Sequence, residues 1–112
     1  MPKFTLLEEM QGIAPGVTTI RLRTQKFADN QLFCLQHVAV RDVTTAAKTA
    51  EVGLIIGNKT VWIKTLVLTT ANVFYTLENQ IYVKSCQGVV IDFLSPTAND
   101  VLQANVFGYY VD

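Results

Sequence analysis

The sequence contains little of what most enzyme active sites require. It has one histidine, His37, and two cysteines, Cys34 and Cys86, among 112 residues. A zinc site needs several converging histidine, cysteine or carboxylate ligands, and this set is too small to supply them. A Cys–His dyad would need His37 to meet a cysteine, but its spacing from Cys34 predicts opposite faces of a strand. We therefore expect no enzymatic activity, no metal and no cofactor.

Glycine-rich and acidic motifs are also missing. The six glycines are isolated from one another, so no phosphate-binding glycine loop is present. No local signature selects two of the nine acidic residues as a hydrolytic carboxylate pair. Asp92 and Asp100 flank a loop and could hold a cation together, although carboxylates in such positions more often face water.

Charge is scarce and balanced. Charged residues make up 16% of the chain, and nine basic residues offset nine acidic ones. Only Arg21, Arg23 and Lys26 lie close together, so the clustered positive charge of nucleic-acid-binding proteins is lacking. No apolar run approaches the roughly 20 residues of a membrane span, and no signal-peptide pattern opens the chain. We expect neither nucleic acid nor membrane as a partner, and synthesis in the cytoplasm.

Apolar residues, in contrast, are plentiful. They make up 50% of the chain, and the mean hydropathy is +0.29. A chain of this length forms one domain with little deep interior. Part of its apolar surface should therefore be exposed and available to a partner. Both cysteines fall in apolar stretches, so we expect buried, reduced thiols. A disulfide between them stays open, because sequence does not define its geometry.

Apolar and polar residues alternate with a period of two along most of the chain. The strand-like runs are 17–23, 31–41, 52–56, 60–68, 73–77, 80–84, 89–93 and 100–111. Gly57-Asn58-Lys59 is a hairpin signal, and Gly108 marks a bulge or a close backbone approach. Residues 44–50 are interpreted as a loop or a single turn. The pattern predicts an all-β, eight-stranded β-sandwich of jelly-roll type over residues 17–112.

Residues 1–16 differ from the rest and are interpreted as an N-terminal arm that ends at Pro15-Gly16. We expect the arm to dock on another subunit, because its apolar side chains would be costly to leave in water. The alternative is that it folds back as an edge strand of its own sandwich. The candidate interface residues, in the arm and among the aromatics, are Phe4, Leu6, Leu7, Met10, Ile13, Trp62, Tyr82, Tyr109 and Tyr110.

The order of features from Leu35 to Asp112 resembles small jelly-roll proteins of tailed bacteriophage virions, which include capsid decoration (cement) proteins and domains of head fibres and tail adaptors. The features that carry this resemblance are Ala39-Val40 leading to Thr44-Thr45-Ala46-Ala47, Ile55-Ile56-Gly57-Asn58, Leu68-Thr69-Thr70-Ala71-Asn72-Val73, Thr97-Ala98-Asn99-Asp100-Val101-Leu102 and Asn105-Val106-Phe107-Gly108-Tyr109. The resemblance covers about two-thirds of the chain and excludes the first 34 residues.

The resemblance implies a non-enzymatic virion structural protein, most concretely a decoration protein that stabilises the phage head by bridging neighbouring capsid subunits. Its partner would be the major capsid protein or another virion protein, its location the capsid surface, and its own state a homo-oligomer, either a dimer or a trimer. A protein that binds only the assembled lattice stabilises that lattice by mass action. The alternative is a carbohydrate- or receptor-binding module of a phage fibre or tail, with Trp62 and tyrosines lined up on one exposed face.

Overall fold

The computed structural model describes residues 6–25, 32–78 and 80–111, and these residues form β-strands joined by turns and loops. The strands are β1 (Leu6–Ile13), β2 (Ile20–Arg23), β3 (Leu32–Asp42), β4 (Lys48–Ile56), β5 (Lys59–Leu68), β6 (Tyr75–Leu77), β7 (Ile81–Lys84), β8 (Cys86–Leu94) and β9 (Val101–Val111). The described part of the chain contains no helix with the length and apolarity needed to cross a membrane.

The strands form two antiparallel sheets. Sheet A has the order β1-β9-β3-β6, with β7 also paired to β3, and sheet B has the order β2-β8-β4-β5. The pairings are nested, because β1 pairs with β9, β2 with β8, β3 with both β6 and β7, and β4 with β5. This is the pattern of one long hairpin rolled into a jelly roll.

The predicted all-β sandwich of jelly-roll type is therefore confirmed. The predicted runs 73–77 and 80–84 correspond to β6 and β7, which lie end to end along β3. The added strand is β1, which belongs to the segment that was interpreted as an arm.

A single apolar layer between the sheets forms the core. Along β9, Leu102, Ala104 and Val106 are fully buried, and the polar Gln103 and Asn105 between them point away from the core. This period-two alternation is what a strand with one buried face requires. The other sheet contributes residues such as Phe93, Ile91 and Leu54 to the same cluster.

The β4–β5 hairpin has the geometry that its sequence predicts. Gly57 and Asn58 have φ values of 57° and 65°, which match the left-handed pair of a two-residue turn that follows the twist of the strands. The segment 44–50 is only partly a loop. Strand β4 begins at Lys48, and Ala50 is fully buried in the core. The prediction of a loop or a single turn over residues 44–50 is therefore wrong from Lys48 onward.

A bulge in β3 changes which side chains share a face. The pairing register of β3 with β9 shifts between Leu35 and His37, so Gln36 is an extra residue. The expectation that Cys34 and His37 lie on opposite faces is therefore wrong. Cys34 pairs with Tyr109 and Tyr82 and lies outside the core cluster, on the outer face of sheet A that also carries His37.

The described part of the N-terminal segment belongs to the sandwich. Residues 6–13 form β1, an edge strand that pairs with β9 from Leu6 to Ile13. This is the alternative that the sequence left open, and its physical basis is Met10, which is 8% exposed and packs in the core. Phe4 lies outside the described residues. Whether this edge also contacts another subunit stays a prediction.

Both cysteines are buried and free, as the sequence predicts. Cys34 lies on the outer face of sheet A, whereas Cys86 belongs to the core at the start of β8 in sheet B. Burial raises the pKa of the Cys86 thiol, which disfavours the reactive thiolate.

Folded protein should therefore react slowly with a bulky thiol reagent, at both Cys34 and Cys86, and rapidly after unfolding in urea. Mass spectrometry of quenched samples would count the labels on each cysteine. Rapid labelling of both thiols in the native protein would contradict the burial that the structure shows.

Gly108 occupies a close backbone approach beside the β3 bulge. A Cβ atom there would lie 2.6 Å from the backbone oxygen of Cys34 and 2.6 Å from Cζ of Phe33, which is fully buried. We predict that Gly108→Ala lowers the free energy of unfolding by about 1–3 kcal/mol, because the new methyl group overpacks the site. Urea denaturation would measure this change.

Gly16→Ala is the matched control, because nothing lies within 4 Å of the added Cβ. Its effect should stay within about 0.5 kcal/mol. Equal stabilities for the two variants would show that the approach at Gly108 is not tight in solution.

Candidate functional site

Two buried carboxylates join the loops at one end of the sandwich. Asp42 and Asp100 are 1% and 0% exposed. Asp42 Oδ1 accepts hydrogen bonds from the backbone N–H groups of Thr44 and Thr45, each at 2.9 Å. Asp100 accepts one from the Thr45 hydroxyl at 2.5 Å and one from the Thr97 N–H at 2.9 Å. These contacts join the β3–β4 loop to the β8–β9 loop.

The two carboxyl groups affect each other's ionisation, and Asp42 Oδ2 is buried without a hydrogen-bond partner among the described residues. Burial raises the pKa of Asp42, and the neighbouring Asp100 carboxyl raises it further. Burial also acts to raise the pKa of Asp100, but its hydrogen bonds from Thr45 and Thr97, together with the Asp42 carboxyl beside it, lower it. Two neighbouring carboxylates disfavour each other's ionisation, so Asp42 takes up a proton at a higher pH than Asp100 does. The pair has a structural role, since both groups are closed off from solvent.

The proposed cation pair of Asp92 and Asp100 does not form. Asp92 lies on the outer face of sheet B, where its two oxygens accept hydrogen bonds from Nε and Nη2 of Arg21 at 2.7 and 2.9 Å. Asp100 is occupied by the loop contacts already described. Across residues 6–25, 32–78 and 80–111, no three His, Cys, Asp or Glu side chains are grouped to hold a metal ion.

His37 and Cys34 share a face but do not form an accessible reactive pair. The Cys34 side chain is fully buried. Hydrogen bonds with Tyr82 and Cys34 raise the pKa of Tyr109 to about 12. His37 packs edge-on against Phe107, with a ring separation of 5.3 Å. A nucleophile must be reached by its substrate, and Cys34 lies beneath its neighbours.

The apolar residues predicted as interface contacts in the first strand have different environments. Leu6 and Ile13 are exposed, which keeps them available to a partner. Leu7 is half-buried and packs against the core, and Met10 is a core residue. Met10 is therefore removed from the surface set, because its side chain faces the other sheet of its own sandwich.

The predicted aromatic contacts are divided between the two outer faces and the core. Tyr82 is exposed and pairs across the sheet with Cys34 on the outer face of sheet A, where Tyr109 is half-buried. Tyr110 faces inward and packs edge-on against Phe33. Trp62 lies on the outer face of sheet B, over Gly53. Trp62 and the tyrosines thus do not line one surface.

Among the described edge strands, β5 exposes the most large apolar side chains. It pairs only with β4 among the described strands, and three of its large apolar side chains are exposed: Val61 by 46%, Trp62 by 41% and Val67 by 61%. Trp62 covers the space that Gly53 leaves open, and the Arg21 guanidinium lies 5.9 Å from its ring centre. The sequence pattern indicated Trp62 but not the two valines, because alternation alone does not reveal which strand lies at an edge.

The outer face of sheet A carries a groove of about 440 Å³. We call it the sheet A groove, and its lining residues are Glu9, Met10, Gln11, Arg41, Phe74, Gln103 and Asn105. Of these, the sequence pattern indicated only Met10, as an interface candidate. They come from β1, β3, β9 and the β5–β6 loop, and only the pairing of distant strands brings them together.

Comparison with known proteins identifies a similar fold but no family. No protein-family model matches the sequence, and no curated protein matches it significantly. The structure is similar to a chain from Bacillus endospore appendages, described as a novel family of disulfide-linked pili, with a TM-score of 0.54, 11% identity, and coverage of 99% of this chain and 93% of that chain. A chain of infectious bursal disease virus, Gt strain, aligns with a TM-score of 0.40 and 14% identity over 90% of this chain and 29% of its own.

The carboxyl pair generates a prediction about stability. Asp42→Asn should keep the two N–H acceptor contacts of Oδ1 and place an amide donor beside Asp100. We expect it to raise the free energy of unfolding at pH 7 by about 1 kcal/mol, because a hydrogen bond replaces a repulsion. Asp42→Ala removes the acceptor and should lower stability by about 1–3 kcal/mol.

The pH dependence has a definite sign. The folded-state pKa of Asp42 lies above its ordinary value of 3.8. Its contribution to stability is thus complete below 3.8 and is lost as pH rises through the raised pKa. Urea denaturation at a series of pH values from 3.8 upward should show this loss of unfolding free energy in the wild type but not in Asp42→Asn. A less stable Asp42→Asn protein at pH 7 would contradict the repulsion between the two carboxyl groups.

Proposed function

We propose that this protein is a non-enzymatic structural subunit that acts by binding other subunits of a larger assembly. The observation that carries the proposal is the exposed apolar surface of β5, formed by Val61, Trp62 and Val67. Val61 pairs with the core residue Leu54 and Trp62 with Gly53. Val67 lies five residues beyond Trp62, so the exposed apolar side chains are distributed over both faces and along the length of this edge strand. Exposed apolar surface on one element marks contact sites more often than single scattered residues do. We name this set the β5 surface.

The other edges of the sandwich are less suited to such contacts. Strands β2, β6 and β7 are each four residues long or shorter. Strand β1 carries Glu8 and Glu9, and charge on an edge opposes strand pairing. Strand β5 has Lys64 and a bulge in its register between Val52 and Gly53 of β4, which interrupt any extended ladder. The β5 surface is thus suited to side-chain packing more than to strand addition.

The most concrete form of the proposal is a capsid decoration protein that bridges neighbouring capsid subunits on a tailed-phage head. The jelly-roll fold, the balanced charge and the resemblance of residues 35–112 to such proteins support it. Binding to the assembled lattice alone would stabilise that lattice by mass action, with no chemistry required.

Assembly of this protein would be noncovalent. The Bacillus appendage chain of similar fold belongs to disulfide-linked pili. Here Cys34 and Cys86 are 0% and 2% exposed, so neither thiol is presented to a neighbouring copy. The contact energy would therefore come from apolar burial at surfaces such as the β5 surface.

The double variant Val61→Glu/Val67→Glu tests the β5 surface. We expect it to fold like the wild type but to lose self-association, or binding to capsids stripped of this protein, by at least about tenfold in affinity. Burial of two carboxylates in an apolar contact is the physical reason. Light scattering across a concentration series and co-sedimentation with stripped capsids would measure the two activities.

Val17→Glu is the control, because Val17 is 69% exposed and lies in the β1–β2 loop, outside the β5 surface. It should associate like the wild type. A wild-type protein that stays monomeric and ignores stripped capsids would remove the proposal. Unchanged association in the double variant would show that the contact does not involve the β5 surface.

A further inference from the structure

The sheet A groove is built from two rows of side chains that cross three strands. One row is Gln11, Gln103 and Arg41, which are paired across β1, β9 and β3. The next row begins with Glu9 and Asn105 and ends at Ala39, whose methyl group fills little space. The groove lies along these polar rows, and Phe74 from the β5–β6 loop forms one of its walls.

The first row is held in place by hydrogen bonds. Arg41 Nε donates to Gln103 Oε1 at 2.6 Å, and Gln103 Nε2 donates to Gln11 Oε1 at 2.9 Å. The Arg41 guanidinium also lies 4.4 Å from the ring centre of Phe74. These contacts fix the donors before any ligand arrives, which reduces the entropy cost of binding.

Several polar groups of the groove are left for a ligand. Within the described residues, the side chains of Glu9 and Asn105 make no hydrogen bond, and Arg41 uses only Nε. The free groups are a carboxylate acceptor, an amide that both donates and accepts, and two guanidinium nitrogens that donate. They lie on neighbouring strands of one sheet, at the separations set by strand spacing.

We infer that the sheet A groove binds a neutral saccharide. A pyranose ring carries hydroxyl groups that both donate and accept, and the free groups of Glu9, Asn105 and Arg41 offer both partners. The apolar face of such a ring packs on an aromatic wall. Phe74 supplies this wall with the exposed part of its ring that the Arg41 guanidinium does not cover. The single cation and the single carboxylate offset each other, so the groove favours a neutral ligand over an anionic one.

Other ligand classes fit the groove less well. A peptide contact needs apolar anchors in closed pockets. The two apolar residues of the lining are Phe74, which is exposed, and Met10, which is 8% exposed. A nucleic-acid backbone needs several cations, and among the lining residues only Arg41 is positively charged. The volume lies within the usual range for small-ligand sites, roughly 300–1,000 Å³.

Nuclear magnetic resonance titration of the ¹⁵N-labelled protein tests the inference. The probes are methyl glucoside, methyl galactoside, maltotriose and chitotriose, each raised to millimolar concentration. We expect at least one to shift the side-chain amide signals of Gln11, Gln103 and Asn105 and the Nε signal of Arg41. Shifts confined to the region of Trp62 or Tyr82 would overturn the assignment of the site.

Asn105→Ala tests the contact without disturbing the fold, because the Asn105 side chain makes no hydrogen bond to the described residues. It should melt like the wild type and bind the saccharide about tenfold more weakly. Thr65→Ala, on the exposed β5 strand of sheet B, is the control and should bind normally.

The possible results separate the inference from its alternatives. No binding of any probe, or undiminished binding by Asn105→Ala, would overturn the saccharide site. The same titration is repeated with a pool of unstructured peptides. Binding of a peptide in the groove, together with no binding of any saccharide, would also overturn the saccharide site. Val61→Glu/Val67→Glu should bind saccharide normally, so failure of the assembly proposal leaves this test intact.

Discussion

The contact between the two sheets is the constraint on which the rest of the structure depends. The two sheets meet through a single apolar layer, to which the central strands contribute every second residue, as Leu102, Ala104 and Val106 of β9 show. Buried polar groups cost free energy unless they are satisfied, so this layer has no room for a reactive cluster. At the loop end, Asp42 and Asp100 accept hydrogen bonds from the loop backbone, and Asp42 Oδ2 is the buried oxygen that these bonds leave without a partner among the described residues. Binding chemistry is thereby left to the outer faces and the edges.

Local irregularities decide what those outer faces present. The extra residue Gln36 turns Cys34 outward, where it lies under Tyr109 and Tyr82 and not in the core. On the other sheet, Gly53 lacks a side chain, and the indole of Trp62 occupies that space.

The sequence predicted the parts of the fold that depend on local pattern. Alternation predicted the buried face of β9, and Gly57-Asn58 predicted the hairpin between β4 and β5, because both signals lie within a few residues. The sequence did not predict which face of β3 carries Cys34, since a bulge has no reliable local signature. The sheet A groove could not be predicted from local pattern either, because the hydrogen bond between Gln11 and Gln103 joins residues 92 positions apart.

The two proposed surfaces occupy different sides of the sandwich, and this has a consequence for how they would work together. The β5 surface follows one edge of sheet B, whereas the sheet A groove opens on the outer face of the opposite sheet. Contacts through β5 would therefore leave the groove of each copy open to solvent. A shallow groove with a few hydrogen bonds binds one saccharide weakly, but an assembly presents many such grooves at fixed separations. Linked sites raise the overall affinity by effective concentration, without any new contact in the single copy.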